Sequence, residues 1–141
     1  MAKVDIRLPD GFQAKLSKLG KKTDEIAQKA LRAGGEVVLE KVRDNLANVV
    51  GKGKHSRSTG ELQASLGLTP VKVDRDGNSN IKVGFAEPRS DGDSNAKIAN
   101  ILEYGRHGQP ARPFLKPAKK ASANECKQRM IQTLEEEISK L

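Results

Sequence analysis

The chain has 141 residues, which suits one domain with a hydrophobic core, and it holds no run of the ~20 apolar residues that a membrane-spanning helix needs. Its apolar fraction of 35% and charged fraction of 31% predict a thin core that depends partly on partners. Its single cysteine excludes an intrachain disulfide and favours a reducing compartment, and its first residues lack the apolar run of a signal peptide.

The net charge of +8 is unevenly distributed along the chain. Residues 1–60 carry +6, residues 61–95 carry −2 and residues 96–141 carry +4. A basic balance fits a nucleic acid or an anionic protein surface as partner, although a solvated exterior of mixed charge explains it more simply. No zinc-finger spacing, RNA-recognition motif or basic zipper supports a nucleic-acid partner.

The first half of the chain predicts a short strand and two helices. Residues 4–8 alternate apolar and polar, and Phe12, Leu16 and Leu19 then recur at helical spacing. The longest helix is expected from about residue 23 to about 48, with Thr23 as its N-cap. Its apolar stripe contains Ala27, Leu31, Gly34, Val38, Val42, Leu46 and Val49. The Gly34-Gly35 pair predicts either a close approach of another backbone or a bend.

The middle of the chain predicts a hairpin between two loops. Residues 51–60, which contain Lys52, Lys54 and Arg57, read as a mobile basic loop, and a short helix follows from Thr59, with Leu62, Leu66 and Leu68 facing inward. Residues 69–85 alternate around an Asp-Gly turn and predict a β-hairpin. One face of that hairpin should hold Val71, Val73, Ile81, Val83 and Phe85. The polar residues 87–95 read as a second mobile loop.

The last third predicts two helices joined by a proline-rich segment. A short helix over residues 96–104 should end at Gly105 in the left-handed conformation, and a long helix should run over residues 118–141. The three prolines Pro110, Pro113 and Pro117 should hold the connection extended. Phe114 and Leu115 lie between those prolines, where they fill the core or form a subunit contact, and the sequence favours neither alternative.

Together these patterns predict an α+β fold in a single domain over residues 1–141. Two long helices should pack on a small antiparallel sheet, with short helices at its flanks. The segments at about 51–60 and 87–95 should be mobile.

Catalytic and metal-binding patterns are weak. Cys126 lies on the apolar stripe of the last predicted helix, and His55 and His107 lie far from it, so no activated nucleophile or zinc site can be built. The pair Asp91 and Asp93 lacks the remainder of a calcium loop, and Lys54 follows glycines without the spacing of a phosphate-binding loop. The chain is therefore expected to be no enzyme and to need no cofactor, metal or small-molecule substrate.

Three motifs in fixed order carry a resemblance to a known family. They are Ser58-Thr-Gly-Glu-Leu62 after the long helix, Leu102-Glu-Tyr-Gly105, and Ala111-Arg-Pro-Phe-Leu-Lys-Pro117 before the last helix. In this order the chain resembles the gene-product-10-like family of tailed-phage proteins, over roughly residues 10 to 138. The family often has an alanine–proline step before its Thr-Gly, and this chain departs from that pattern at residues 51–57.

The resemblance implies a structural virion protein without catalysis: a minor tail, tail-completion or head–tail joining (neck) protein. It implies a sixfold ring of copies at the head–tail junction, next to head-closure and tail-tube or tail-terminator proteins, and a non-specific contact with exiting DNA. Assembly would take place in the cytoplasm of the bacterial host, away from any membrane. The expected interface residues are Tyr104, Gly105, Arg112, Pro113, Phe114, Leu115 and Pro117. The alternative function is a small basic DNA-binding module, which steeply salt-dependent binding to duplex DNA would favour.

Overall fold

The computed structural model describes residues 3–9, 23–50, 60–73, 75, 79–87 and 94–140. In these ranges the order of elements is β1 (Val4–Arg7), α1 (Thr23–Val49), α2 (Glu61–Ser65), β2 (Leu66–Leu68), β3 (Lys72–Val73), β4 (Ser79–Phe85), α3 (Asn95–Tyr104) and α4 (Leu115–Ser139). The predicted α+β class is confirmed. The short helix predicted from Phe12 to Leu19 lies outside the described residues.

The two long helices, α1 and α4, form the largest packing contact of the fold. Two contacts show that these helices run antiparallel. Asn45, near the end of α1, donates to the carbonyl of Phe114 at the start of α4. Lys29, near the start of α1, binds Glu137 near the end of α4. The buried residues of α1 recur at helical spacing and include Ala27, Ala30, Leu31, Val38, Val42 and Leu46. On α4 the buried positions are Leu115, Ala118, Ser122, Cys126, Met130 and Leu134.

The glycine pair in α1 makes room for side chains on two sides of the helix. A Cβ at Gly34 would lie 2.6 Å from Met130 Cγ, and a Cβ at Gly35 would lie 2.9 Å from Leu68 Cδ2. The helix continues through both positions. The predicted close approach is therefore present, but side chains of α4 and β2 make it rather than another backbone.

The sheet is antiparallel with the order β1-β4-β2, and β3 also pairs with β4. Val4 lies opposite Val83 and Ile6 opposite Ile81, so the apolar residues of both strands share the face that packs on the helices. The predicted hairpin is confirmed by the pairing of Lys72 with Asn80.

Two details of the middle segment were predicted wrongly. Val73 was expected on the buried face but is 66% exposed, because β3 has only two residues and makes extensive contact with β4 but not with the helices. Leu66 and Leu68 were assigned to a helix, yet they form β2 and pair with Phe85 and Val83. The helix α2 ends at Ser65, and the next three residues pair with β4 on the side away from β1.

The two segments predicted to be mobile lie largely outside the described residues, at 51–59 and 88–93, together with Lys52, Lys54 and Arg57. The described ends of the second segment are held firmly. Glu87 Oε1 accepts from Ser94 Oγ at 2.9 Å and from the backbone nitrogen of Ala96 at 2.8 Å. Asn95 is buried and donates to the carbonyl of Ala86 at 2.7 Å. The predicted mobility of the residues between these anchors stays a prediction.

Candidate functional site

Gly105 ends α3 in a conformation that only glycine adopts readily. Its φ is 77° and its ψ is 178°, which is a positive φ with extended ψ rather than the predicted left-handed helical conformation. A Cβ here would lie 2.8 Å from the backbone nitrogen of Ala111 and 2.9 Å from the carbonyl oxygen of Gln109. The position therefore needs glycine for two reasons: its dihedral angles are unfavourable for other residues, and the backbone of residues 109–111 leaves no room for a Cβ.

The connection after Gly105 is a tight turn and not the extended segment that the prolines predicted. Arg106 and Gln109 exchange two backbone hydrogen bonds of 2.9 Å, with Gly108 at φ 80° between them. The prolines restrict only residues from 109 onward, which leaves the glycine-rich part free to turn. The backbone nitrogen of Arg112 then donates to the carbonyl of Leu102 at 2.7 Å and fixes the turn to α3.

The carboxylate of Glu103 caps the start of α4. Its Oε1 accepts from the backbone nitrogens of Phe114 at 2.9 Å and Leu115 at 2.6 Å, and its Oε2 accepts from that of Lys116 at 3.2 Å. A helix leaves its first four N–H groups without intrahelical partners, and the fourth position here is Pro117, which has no N–H. Every donor at this helix start is thus satisfied, and the negative charge lies at the positive end of the helix dipole.

Phe114 lies at the junction of α1, the sheet and α4, where it is completely buried. Its ring meets that of Phe85 edge to face, with centroids 6.1 Å apart. Asn45 Nδ2 donates to its carbonyl at 3.3 Å. Leu115 is 5% exposed. The sequence left open whether Phe114 and Leu115 fill the core or form a subunit contact. In the structure both side chains lie in the core of this chain.

The other predicted interface residues lie between the last residue of α3 and the first turn of α4. Tyr104 is 69% exposed, Arg112, Pro113 and Pro117 are exposed, and Gly105 is partly buried. Sequence reasoning missed the role of Glu103, which is 4% exposed. One signal could have revealed it: α4 begins without a capping side chain or an acid in its first turn, so its cap had to come from elsewhere.

The titratable groups of the described residues do not assemble into a reactive site. Burial raises the pKa of the Cys126 thiol, which makes it a poor nucleophile at neutral pH. The hydrogen bond from Lys29, supported by Lys140, lowers the pKa of Glu137. His107 is exposed in the turn. In the described ranges no group of side chains could hold a metal ion, and no helix has the length and apolar character to cross a membrane.

Comparison with known families identifies the chain at the level of a family. The model of the HK97-gp10-like family, described as "Bacteriophage HK97-gp10, putative tail-component", matches residues 10–105, more than half of the chain. The chain belongs to this family. As a family member it is a phage tail component, and hence a part of the virion.

The match to the HK97-gp10-like family is shorter than the resemblance suggested. It ends at Gly105, so it includes Leu102-Glu-Tyr-Gly105 but not the motif from Ala111 to Pro117. No curated protein and no solved structure was found to match the chain.

Proposed function

We propose that the chain is a neck or tail-completion subunit that assembles as a ring at the head–tail junction and helps to join the tail to the head. Its membership of a family of phage tail components supports this proposal. Its neighbours would be further copies of itself, head-closure proteins and tail-tube or tail-terminator proteins. Assembly would take place in the host cytoplasm.

The structural observation that carries the proposal is the exposed turn of residues 104–113, which we call the braced turn. Its backbone is fixed by the pair of hydrogen bonds between Arg106 and Gln109 and by the bond from Arg112 to Leu102. A rigid surface loses little conformational entropy when a partner binds it. Tyr104 and two arginines lie on it, and these residue types dominate binding energy at protein interfaces.

Electron microscopy of phage particles tests the proposal. Particles made with Tyr104→Ala and Arg112→Ala together should accumulate as separate heads and tails, because the subunit folds but does not engage its neighbours. The exposed pair Val73→Ala and Lys72→Ala lies on β3 and is the matched control, which should give joined particles. Joined particles with both pairs would contradict the role of the braced turn, and joined particles in the absence of the protein would contradict the proposed function itself.

DNA binding is the second candidate, and one observation favours it. Residues 104–124 contain five Lys/Arg residues and no Asp or Glu. Of these, Arg106, Arg112 and Lys116 are exposed in or next to the braced turn. Titration of duplex DNA at increasing salt tests this candidate. Tight binding near physiological salt with a steep salt dependence would support a DNA-binding module, whereas weak binding that disappears at moderate salt would support the structural subunit.

A further inference from the structure

Two grooves of opposite charge lie along the pair of long helices. The first, which we call the basic groove, has a volume of about 400 Å³ and runs between β1 and α4. Arg7, Lys119 and Lys127 line it, with Asp5 as the single acid, and Ile6 and Met130 are among its apolar residues. Lys119 and Lys127 are exposed, so their charges are available to a partner, whereas the exposed Arg7 forms a 3.7 Å ion pair with Asp5 Oδ2.

The second, which we call the acidic groove, has a volume of about 300 Å³ and runs between α1 and α4. Glu40, Asp44 and Glu125 line it, with Lys41 as the single base. All four of these side chains are exposed. Among the described residues that line them, the basic groove has three bases and one acid, and the acidic groove has three acids and one base. Their formal charges, counted over those residues, are therefore +2 and −2.

The two grooves lie on opposite flanks of α4. At 3.6 residues per turn, the two positions from Glu125 to Lys127 correspond to a rotation of about 200° around the helix axis. Lys119 lies six positions before Glu125, which leaves it about 120° away from that residue. Between the two flanks, Ser122 and Cys126 face the core, with 3% and 6% of their surface exposed.

The basic groove also contains two sets of polar atoms that lack hydrogen-bond partners within the described residues. It runs beside β1, which pairs only with β4 in the described sheet and so is an edge strand with a free side. Asp5 Oδ1, in the same groove, is buried and has no hydrogen-bond partner among the described residues. Buried acceptors are rarely left without a donor, and the acidic groove contains the exposed ammonium of Lys41; its other donor, the Ser122 hydroxyl, already donates to the carbonyl of Ala118.

We propose that neighbouring copies of this chain pack side by side, with the basic groove of one copy against the acidic groove of the next. This proposal rests on the proposed ring. Because the two surfaces differ and lie on opposite flanks, the contact is head-to-tail, the kind that closes into a ring when the rotation fits. Exposed charge pairs contribute little affinity each, but they set register and exclude wrong pairings. The contact should therefore weaken as salt increases.

Charge exchange between the two grooves tests the proposal. K119E/K127E makes both grooves acidic, and E40K/E125K makes both basic. Each variant alone should self-associate about a hundredfold more weakly than the parent, because like charges would meet. An equimolar mixture of the two variants should assemble again, because an acidic groove of one variant then meets a basic groove of the other. The two variants would alternate, so the complexes should contain an even number of copies. The variant with all four substitutions should again assemble alone. Native mass spectrometry and light scattering over a concentration series measure these outcomes.

Matched controls carry the same change of charge away from both grooves. K72E/K97E acts on exposed lysines of β3 and α3, and E135K/E136K acts on exposed acids near the end of α4. Both controls should assemble like the parent. If they weaken assembly as strongly as the groove variants, net charge and not this contact is responsible, and the proposal is wrong.

Other outcomes separate this contact from the ring itself. A parent that assembles, with groove variants that assemble equally well, would overturn the contact and leave the proposed function standing. A parent that stays monomeric at every concentration would overturn the proposed ring and the contact with it. If K119E/K127E lowers the melting temperature of the monomer and the mixture restores no assembly, the two lysines stabilise the fold of the single chain, and the proposed contact is wrong.

Discussion

Glu103 Oε1 lies 2.9 Å from the backbone nitrogen of Phe114, eleven residues further along the chain. Through this contact the last turn of α3 supplies the cap that α4 lacks in its own sequence. The same carboxylate reaches the next two backbone nitrogens. The charged side chain thus fixes where α4 begins and how the braced turn leaves α3.

Glu103→Gln should destabilise the fold by about 2–3 kcal/mol. The amide keeps the size of the side chain, but it directs an N–H₂ group at backbone donors and removes the charge that the helix dipole favours. Thermal or denaturant unfolding measures the change. Glu135→Gln is the control, because Glu135 is exposed near the far end of α4 and should change stability little. Equal stability of both variants would mean that the cap is unimportant.

Gly105→Ala should be more destabilising than Gly108→Ala. Both positions have positive φ, and such sparsely populated backbone regions cost a residue with a Cβ about 1–3 kcal/mol. Gly105 combines its positive φ with an extended ψ, a region that is essentially restricted to glycine. Only at Gly105 would the new Cβ also collide with backbone, whereas at Gly108 it meets open space. The difference between the two melting temperatures measures the collision together with the dihedral strain of the extended ψ at Gly105. An equal loss of stability in both variants would show that the backbone of Gln109 and Ala111 moves to make room for the new Cβ.

Phe114→Ala should cost about 3–5 kcal/mol, since the ring is fully buried and its removal leaves a cavity. The free energy of unfolding of a typical domain is about 5–15 kcal/mol, so a large share of the Phe114→Ala protein should be unfolded or aggregated. Tyr104→Ala removes an aromatic ring that is 69% exposed and should unfold like the parent. Chemical denaturation of both proteins makes the comparison. A Phe114→Ala protein as stable as the parent would contradict its place in the core.

Cys126 should react slowly with alkylating reagents in the folded protein. It is 6% exposed, and burial raises its pKa, so little thiolate is present at neutral pH. Burial raises the pKa of Cys126 in the folded protein above its value in the unfolded chain. The thiol therefore contributes its full stability below the unfolded pKa and loses that contribution as the pH increases from there through the folded pKa. The chain has one cysteine, so the mass of the intact protein reports the reaction directly. Alkylation as fast as in denaturant would contradict the buried position.

The sequence predicted the long elements of the fold well, because their apolar periodicity is strong. The stripe of α1 and the alternation from Ile81 to Phe85 each determine one buried face. Leu66 and Leu68 were assigned wrongly, since their spacing fits the end of a helix as well as a short strand. Pairing with β4 decides between the two, and that contact is distant in sequence.

The candidate site was located by its motifs but was interpreted only in part. Tyr104 was correctly placed in the last turn of a helix. Phe114 was predicted to fill the core or to form a subunit contact, and it lies in the core. The interface role of Pro117 stays a prediction. The turn at Arg106 was missed, since proline restricts only itself and the residue before it. The capping role of Glu103 depends on how the two helices meet, and local propensity carries no information about that geometry.

Because a side chain of α3 caps the start of α4, local unfolding of the last turn of α3 should also expose the first turn of α4. The amides of Phe114, Leu115 and Lys116 are held by a side chain of α3, so they become available to solvent deuterium only when Glu103 withdraws. Helix ends ordinarily exchange quickly through fraying, independently of the remainder of the protein. The start of α4 should instead exchange together with the last turn of α3, as one cooperative unit. The slow exchange of deuterium at a helix terminus would be the signature of this borrowed cap.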